Sequence, residues 1–147
     1  MTQIRPDRIG QTLMLLNRDF HDRLAADLAQ RNVQGISQRH RAVFLHLGQH
    51  GASRSVDLAA SAGIRPQSMM TIVHELEAMG LVERRPDPAD SRAKLIDFTR
   101  SGRRLIAELT RSTDAVFQQY ADIIGEDNMR ITFTQLERLL ANSDAGE

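Results

Sequence analysis

A short segment, residues 65–74, carries polar side chains that could hydrogen-bond to the bases or phosphates of nucleic acid. The helical period would bring these side chains to one exposed face; they are Arg65, Gln67, Ser68, Thr71 and His74. Amides and hydroxyls can pair with base edges in the major groove of duplex DNA, and a guanidinium can bond to guanine or phosphate. We interpret this face as a reader of duplex DNA, with a merely solvated polar face as the alternative.

A second segment that could bind DNA is locally basic and begins at Arg84. Arg92 lies in a narrow polar loop, and such a loop can insert a guanidinium into the minor groove, where the potential is most negative. Arg84, Arg85 and Lys94 would then contact the flanking phosphates. Asp90, two residues before Arg92, would orient that arginine or cap the turn. A solvated hairpin with incidental charges is the alternative.

The order of apolar and turn-forming residues predicts the elements that position these two segments. Apolar periodicity and capping residues predict three short helices, over 37–50, 55–62 and 66–79. Ser55 is expected to cap the second helix, and Gly63 supplies the left-handed turn before the third. Two strands around a stiff polar turn follow, over 81–85 and 93–98. These elements make a winged helix-turn-helix, in which the helix over 66–79 fits the major groove.

Longer amphipathic helices are predicted on both sides of this region, over 7–30, 99–124 and 126–142. They carry apolar residues that a small winged core cannot cover, namely Ile9, Leu13, Met14, Leu16, Phe133, Leu136, Leu139 and Leu140. We therefore expect a homodimer joined at the chain ends, with its two reading helices roughly 34 Å apart, one turn of duplex. A bundle within one chain is the alternative.

The expected fold class is mainly α with a small β-hairpin (α+β), and the chain forms one structural domain with three regions. Residues 1–36 and 101–147 would serve dimerisation, and residues 37–100 would bind DNA.

Motifs in the middle of the chain resemble those of one known family. They read Leu76-Glu77-Ala78-Met79-Gly80-Leu81-Val82-Glu83-Arg84, then Asp87-Pro88-Ala89-Asp90-Ser91-Arg92-Ala93-Lys94, then Phe98-Thr99-Arg100-Ser101-Gly102. Residues 37–102 thereby resemble the MarR family of transcriptional regulators, with no gap through the wing. The resemblance implies an obligate homodimer, a palindromic operator and, often, a small-molecule ligand that weakens DNA binding.

Two positions depart from the pattern of that family. Ser91 stands where many members carry a second basic residue, and Thr71 stands where many have Arg. Each change removes a potential DNA contact, at a cost on the order of 1–3 kcal/mol if nothing compensates. Arg65 and Arg54 are candidates to compensate, and we include both, together with Ser91, among the expected DNA-contacting residues.

A small-molecule ligand that releases DNA would need differential affinity for two spacings of the reading helices. Candidate pocket residues on the faces of the first two helices are Phe20, His21, Arg41 and Phe44, and each could equally be core or surface. A constitutive repressor without a ligand is the alternative.

Several other classes of function find no support in the sequence. The 19 basic and 19 acidic side chains give no net charge, and the absence of cysteine excludes disulfides and thiolate metal sites. No nucleophile elbow or phosphate-binding glycine loop is present, so we expect neither an enzyme nor a cofactor. His46 and His50 lie four residues apart but lack the Glu of hydrolase zinc motifs, and we expect no metal site.

The sequence also shows no signal-peptide core and no apolar run long enough to cross a bilayer, so we expect a cytoplasmic protein with no membrane partner. The best-supported interpretation is a homodimeric DNA-binding transcription regulator, a repressor rather than an activator. The alternative is a helical protein–protein interaction module without DNA binding. The two differ in that DNA affinity falls steeply with ionic strength.

Overall fold

The computed structural model describes residues 5–143, which form six α-helices and one β-hairpin. In chain order they are α1 (Ile9–Gln30), α2 (Gln38–His50), α3 (Ser55–Ala62), α4 (Pro66–Ala78), β1 (Val82–Asp87), β2 (Asp90–Phe98), α5 (Arg100–Ile124) and α6 (Glu126–Ser143). The fold is mainly α with a small antiparallel hairpin, a winged helix-turn-helix flanked by long helices, as the sequence predicted. Within these residues, no helix is both long and apolar enough to cross a membrane.

The chain divides into two compact units. Of the described residues, 5–27 and 111–143 form one unit, the end unit, and Leu28–Thr110 form the other, the winged unit.

The winged unit is built around an apolar core shared by α2, α3, α4 and the hairpin. Its fully or nearly fully buried members are Val43, Phe44, Leu47, Leu58, Ala59, Met69, Ile72, Val73, Leu76, Val82, Ile96 and Phe98. The rings of Phe44 and Phe98 stack with their centroids 5.9 Å apart, which packs α2 against the base of the hairpin. Because this core buries one side of α4, the opposite side of that helix faces solvent.

Two turns fix how α3 and α4 follow each other. Gly63 adopts the left-handed conformation expected of it, with φ +65°, and ends α3. Pro66 occupies the first turn of α4, where its missing N–H costs nothing. The expected cap of α3 was wrong, because Ser55 is the first residue of the helix and Arg54 is the N-cap, without a side-chain capping bond.

The hairpin strands extend further toward the tip than predicted, so that only Pro88 and Ala89 lie between them. Pro86, expected in the turn, instead pairs with Lys94 inside the ladder. A proline is tolerated there because β1 is an edge strand of a two-stranded sheet. On the other side, Ser53 forms an isolated antiparallel bridge with Ile96, which attaches the hairpin to the segment before α3.

The end unit is held by a polar cluster between α1 and α5. The Tyr120 hydroxyl donates to Asp19 at 2.8 Å, and Arg23 Nε donates to the same carboxylate at 2.7 Å. The bond from Arg23, and to a lesser extent the bond from Tyr120, lowers the pKa of Asp19. Burial, together with the bond to Asp19, raises the pKa of Tyr120 to about 12.

Candidate nucleic-acid interface

The expected DNA-reading side chains all lie on the exposed side of α4 or at its N-cap. Arg65 is the N-cap, and the four others follow on the helix, where each is exposed: Gln67, Ser68, Thr71 and His74. The Thr71 hydroxyl donates to the Gln67 carbonyl at 3.3 Å, which leaves its oxygen free to accept. None of these five side chains belongs to the core, and together they form a continuous polar face.

The hairpin tip presents Arg92 and Lys94 to solvent. Asp90 Oδ1 accepts a hydrogen bond from the backbone N–H of Arg92 at 3.0 Å. Of the two roles foreseen for Asp90, the structure shows this turn-capping contact, which fixes the backbone next to Arg92 and leaves the Arg92 guanidinium outside the bond. Ser91, between them, is exposed.

Arg54 has an internal partner, because its Nε donates to Asp87 Oδ2 at 2.7 Å. Asp87 is nearly buried at the end of β1, and its Oδ1 accepts from the Ala89 N–H at 2.8 Å. The Ala89 bond first, and then the Arg54 bond, lower the pKa of Asp87, so that it is ionised at neutral pH. Arg54 therefore braces the hairpin tip against the N-cap of α3.

Two further arginines of the hairpin are also paired. Arg84 Nε lies 2.8 Å from Glu77 Oε1 on α4, and Arg85 lies 3.1 Å from Asp97 on β2. By contrast, in the part of the chain that the structure describes, no carboxylate pairs with Arg65, Arg92 or Lys94. Among the cations expected to contact DNA, these three are the ones whose charge is free for an external anion.

The sequence did not predict that the start of α2 lies beside the polar face of α4. A groove of about 740 Å³ lies between α4 and the start of α2; Ser68 and Thr71 line one side, and Ser37 and Arg39 line the other. Arg39 is exposed, and its Nη2 donates to Glu75 on α4 at 2.8 Å. Only the packing of α2 on α4 reveals this proximity, because Arg39 and Glu75 are 36 residues apart.

The comparisons with known proteins agree with this geometry. Residues 34–93, which span α2 to the middle of β2, match the model of the MarR family. A segment of 91 residues is 34% identical to an uncharacterised HTH-type transcriptional regulator of Mycobacterium leprae and covers 61% of this chain and 64% of that relative. The middle of this chain is thus similar to the MarR family. It aligns with a little under two thirds of the length of that curated relative.

Solved structures resemble this chain over nearly its whole length. A MarR-family transcriptional regulator from Rhodococcus sp. RHA1 superposes with a TM-score of 0.75 at 27% identity, over 94% of this chain and 96% of that one. NadR, solved in complex with 4-hydroxyphenylacetate, superposes with a TM-score of 0.75 at 25% identity, over 100% and 99% of the two chains.

The four candidate pocket residues are divided between the two units. Phe20 and His21 lie in the end unit, with their rings edge to face at 5.4 Å. Arg41 and Phe44 lie in the winged unit, where Phe44 belongs to the core. Arg41 Nη1 donates to the Ile36 carbonyl at 3.4 Å, and burial lowers its pKa.

The histidine pair of α2 has a simple geometry. The rings of His46 and His50 stack with centroids 4.4 Å apart, and His50 Nδ1 donates to the His46 carbonyl at 3.2 Å. Burial is the main cause that lowers the pKa of His46, and the nearby His50 is the second. Across residues 5–143, no group of three His, Asp or Glu side chains is arranged to hold a metal ion.

Proposed function

We propose that this protein is a transcriptional repressor that binds a pseudo-palindromic DNA operator as a homodimer. The observation that supports the proposal is which of the cations expected to contact DNA have a carboxylate partner within the protein. Arg54, Arg84 and Arg85 are neutralised by Asp87, Glu77 and Asp97. Arg65, Arg92 and Lys94, which lie at the N-cap of α4 and near the hairpin tip, are not paired among the described residues.

In this proposal α4 enters the major groove with its N-terminal half. Gln67, Ser68, Thr71 and His74 pair with base edges, while Arg65 contacts phosphate or guanine. Thr71 and Ser91 carry no charge, so that fewer cations contact the backbone than in many relatives.

The hairpin supplies the second contact, since Arg92 at its tip fits a narrow minor groove and Lys94 reaches an adjacent phosphate. Arg54 supports this contact indirectly, because it holds Asp87 at the base of the tip. Arg84 and Arg85 would join the interface only by leaving their carboxylate partners.

The homodimer is supported by apolar surface in the end unit. Side chains that are 43–68% exposed include Ile9, Leu13, Met14, Leu16, Phe133, Leu139 and Leu140. Exposed apolar area of this extent marks an association surface. Two copies joined there would carry two winged units, as a palindrome requires.

We further propose that a small molecule releases the protein from DNA in the cytoplasm. NadR, a similar structure, was solved with 4-hydroxyphenylacetate. A ligand of this chain would act by binding the DNA-free conformation more tightly than the DNA-bound one.

Selection from a random duplex library tests the proposal. The selected sequence should contain two related half-sites, and fluorescence anisotropy should show affinity that falls steeply as salt is raised. Equal affinity for all duplexes, or affinity indifferent to salt, would contradict it. The second result would favour the protein-interaction module instead.

A further inference from the structure

We propose that Glu75 is a positioning residue that fastens the recognition helix α4 to the start of α2 and so sets how α4 presents its polar face. The inference rests on the proposed function and names a residue outside the expected DNA contacts. Glu75 lies seven residues after Ser68 and four after Thr71, so all three lie along the side of α4 that borders the groove.

The Glu75 carboxylate gathers donors from two residues of α2. His40 Nε2 lies 2.7 Å from Oε2, and Arg39 Nη2 donates to Oε1 at 2.8 Å and to Oε2 at 3.0 Å. The His40 bond, and after it the charge of Arg39, lower the pKa of Glu75, so the carboxylate is ionised and accepts from both donors.

The His40 ring transmits this attachment to the backbone of α2. Its Nδ1 accepts from the Ser37 N–H at 3.1 Å, which closes the capping box at the start of the helix. With Nδ1 accepting, the neutral ring carries its proton on Nε2, directed at Glu75. Because the imidazole is almost completely buried, it acts as a rigid strut between the cap of α2 and the carboxylate on α4.

The attachment adds directional hydrogen bonds to a contact between α2 and α4 that is otherwise apolar. Val43 and Leu47 of α2 and Val73 and Leu76 of α4 belong to one apolar core, and hydrophobic contact is not directional. Toward its N-terminus, α4 is separated from α2 by the 740 Å³ groove. The hydrogen bonds of Glu75, which are directional, lie between the part of α4 that packs on α2 and the part that borders the groove.

The test compares Glu75→Gln with Glu83→Gln, which makes the same change in charge on β1 at an exposed residue with no ion pair among the described contacts. Anisotropy measures affinity for the selected operator and for a scrambled duplex over a range of salt. We expect Glu75→Gln to reduce the operator-to-scrambled affinity ratio about tenfold with an unchanged salt slope, and Glu83→Gln to leave the ratio unchanged.

Arg39→Gln provides a second variant at an exposed position, in case Glu75→Gln fails to fold. It should lower the ratio in the same way, and a salt slope reduced by about one would show instead that Arg39 contacts phosphate and would contradict its positioning role. An unchanged ratio in both variants would overturn the proposal.

Hydrogen exchange of the free protein tests the positioning without DNA. Amides in residues 67–74 should exchange several-fold faster in Glu75→Gln than in the parent or in Glu83→Gln. If the parent binds no duplex while this exchange difference is present, the proposed function fails but the attachment of α4 stands. Unchanged exchange overturns the attachment itself.

Discussion

Arg54 and Asp87, 33 residues apart, form an ion pair in which Arg54 Nε donates to Asp87 Oδ2 at 2.7 Å. The same aspartate caps the Ala89 N–H with its other oxygen. The N-cap of α3 and the hairpin tip are therefore joined through one nearly buried carboxylate. This ion pair positions the hairpin tip relative to α3. A substitution at Arg54 should therefore alter the tip even if Arg54 itself makes no contact with DNA.

Arg54→Ala should loosen the hairpin tip, because Asp87 would lose its cationic partner in a nearly buried position. We expect an unfolding temperature a few degrees lower and faster exchange of the Ala89 amide, measured by calorimetry and hydrogen exchange. Arg104→Ala, at an exposed arginine of α5, should change neither quantity. An Ala89 amide as protected as in the parent would show that the ion pair does not hold the tip.

Arg92→Ala should weaken operator binding about tenfold and lower the salt slope by about one, because a single minor-groove cation is removed. Anisotropy titrations at several salt concentrations measure both quantities, with Arg104→Ala again as the control. Parent-like affinity at physiological salt would exclude the hairpin from the interface.

Gln67→Ala and Ser68→Ala should change which sequences are bound rather than how affinity depends on salt. Both side chains are uncharged and exposed on α4, so each variant loses a base contact but no phosphate contact. Repeated selection with each variant should relax the preference at one or two base pairs, at about 1–3 kcal/mol per lost contact. Identical preferences in parent and variants would remove α4 from base recognition.

Leu139→Glu should convert the homodimer to monomers at micromolar concentration, because a charge replaces a side chain that is 65% exposed in the single chain. Thr134→Glu, at an exposed polar position of the same helix, is the matched control. Sedimentation velocity distinguishes the two. A parent that sediments as a monomer would contradict the dimer directly.

Tyr120 should ionise at a higher pH than an ordinary tyrosine. Its titration can be followed without overlap, because the chain contains one tyrosine. The phenolate absorbance of the folded protein should titrate with a pKa of about 12, against 10.0 in the unfolded chain. Because the folded pKa is the higher one, the stabilisation is complete below pH 10 and is lost as pH rises toward 12. Tyr120→Phe should be less stable than the parent at neutral pH, and this difference should shrink above pH 10. A normal pKa in the folded protein would contradict the bond to Asp19.

The sequence determined the elements of this protein well. All six predicted helices lie within two residues of their observed bounds, because apolar periodicity, Gly63 and Pro66 are local signals that act over a few residues. The polar face of α4 followed from the same periodicity, since burial of Met69, Ile72 and Val73 leaves the other side exposed. The hairpin was less accurate, because Pro86 reads as a turn residue while its place in an edge strand depends on the pairing.

Only the tertiary structure decided which charged side chains are free. Arg54, Arg84, Arg85 and Arg92 are the same residue type, and the sequence treated all four as DNA contacts. Their carboxylate partners are set by packing across 33, 7 and 12 residues for the first three, and no such partner meets Arg92 among the described residues. Glu75 was missed for the same reason, since its donors on α2 lie 35 and 36 residues earlier. Periodicity reports which face a residue occupies, whereas ion pairing depends on the distance between faces, and that distance exists only in the folded chain.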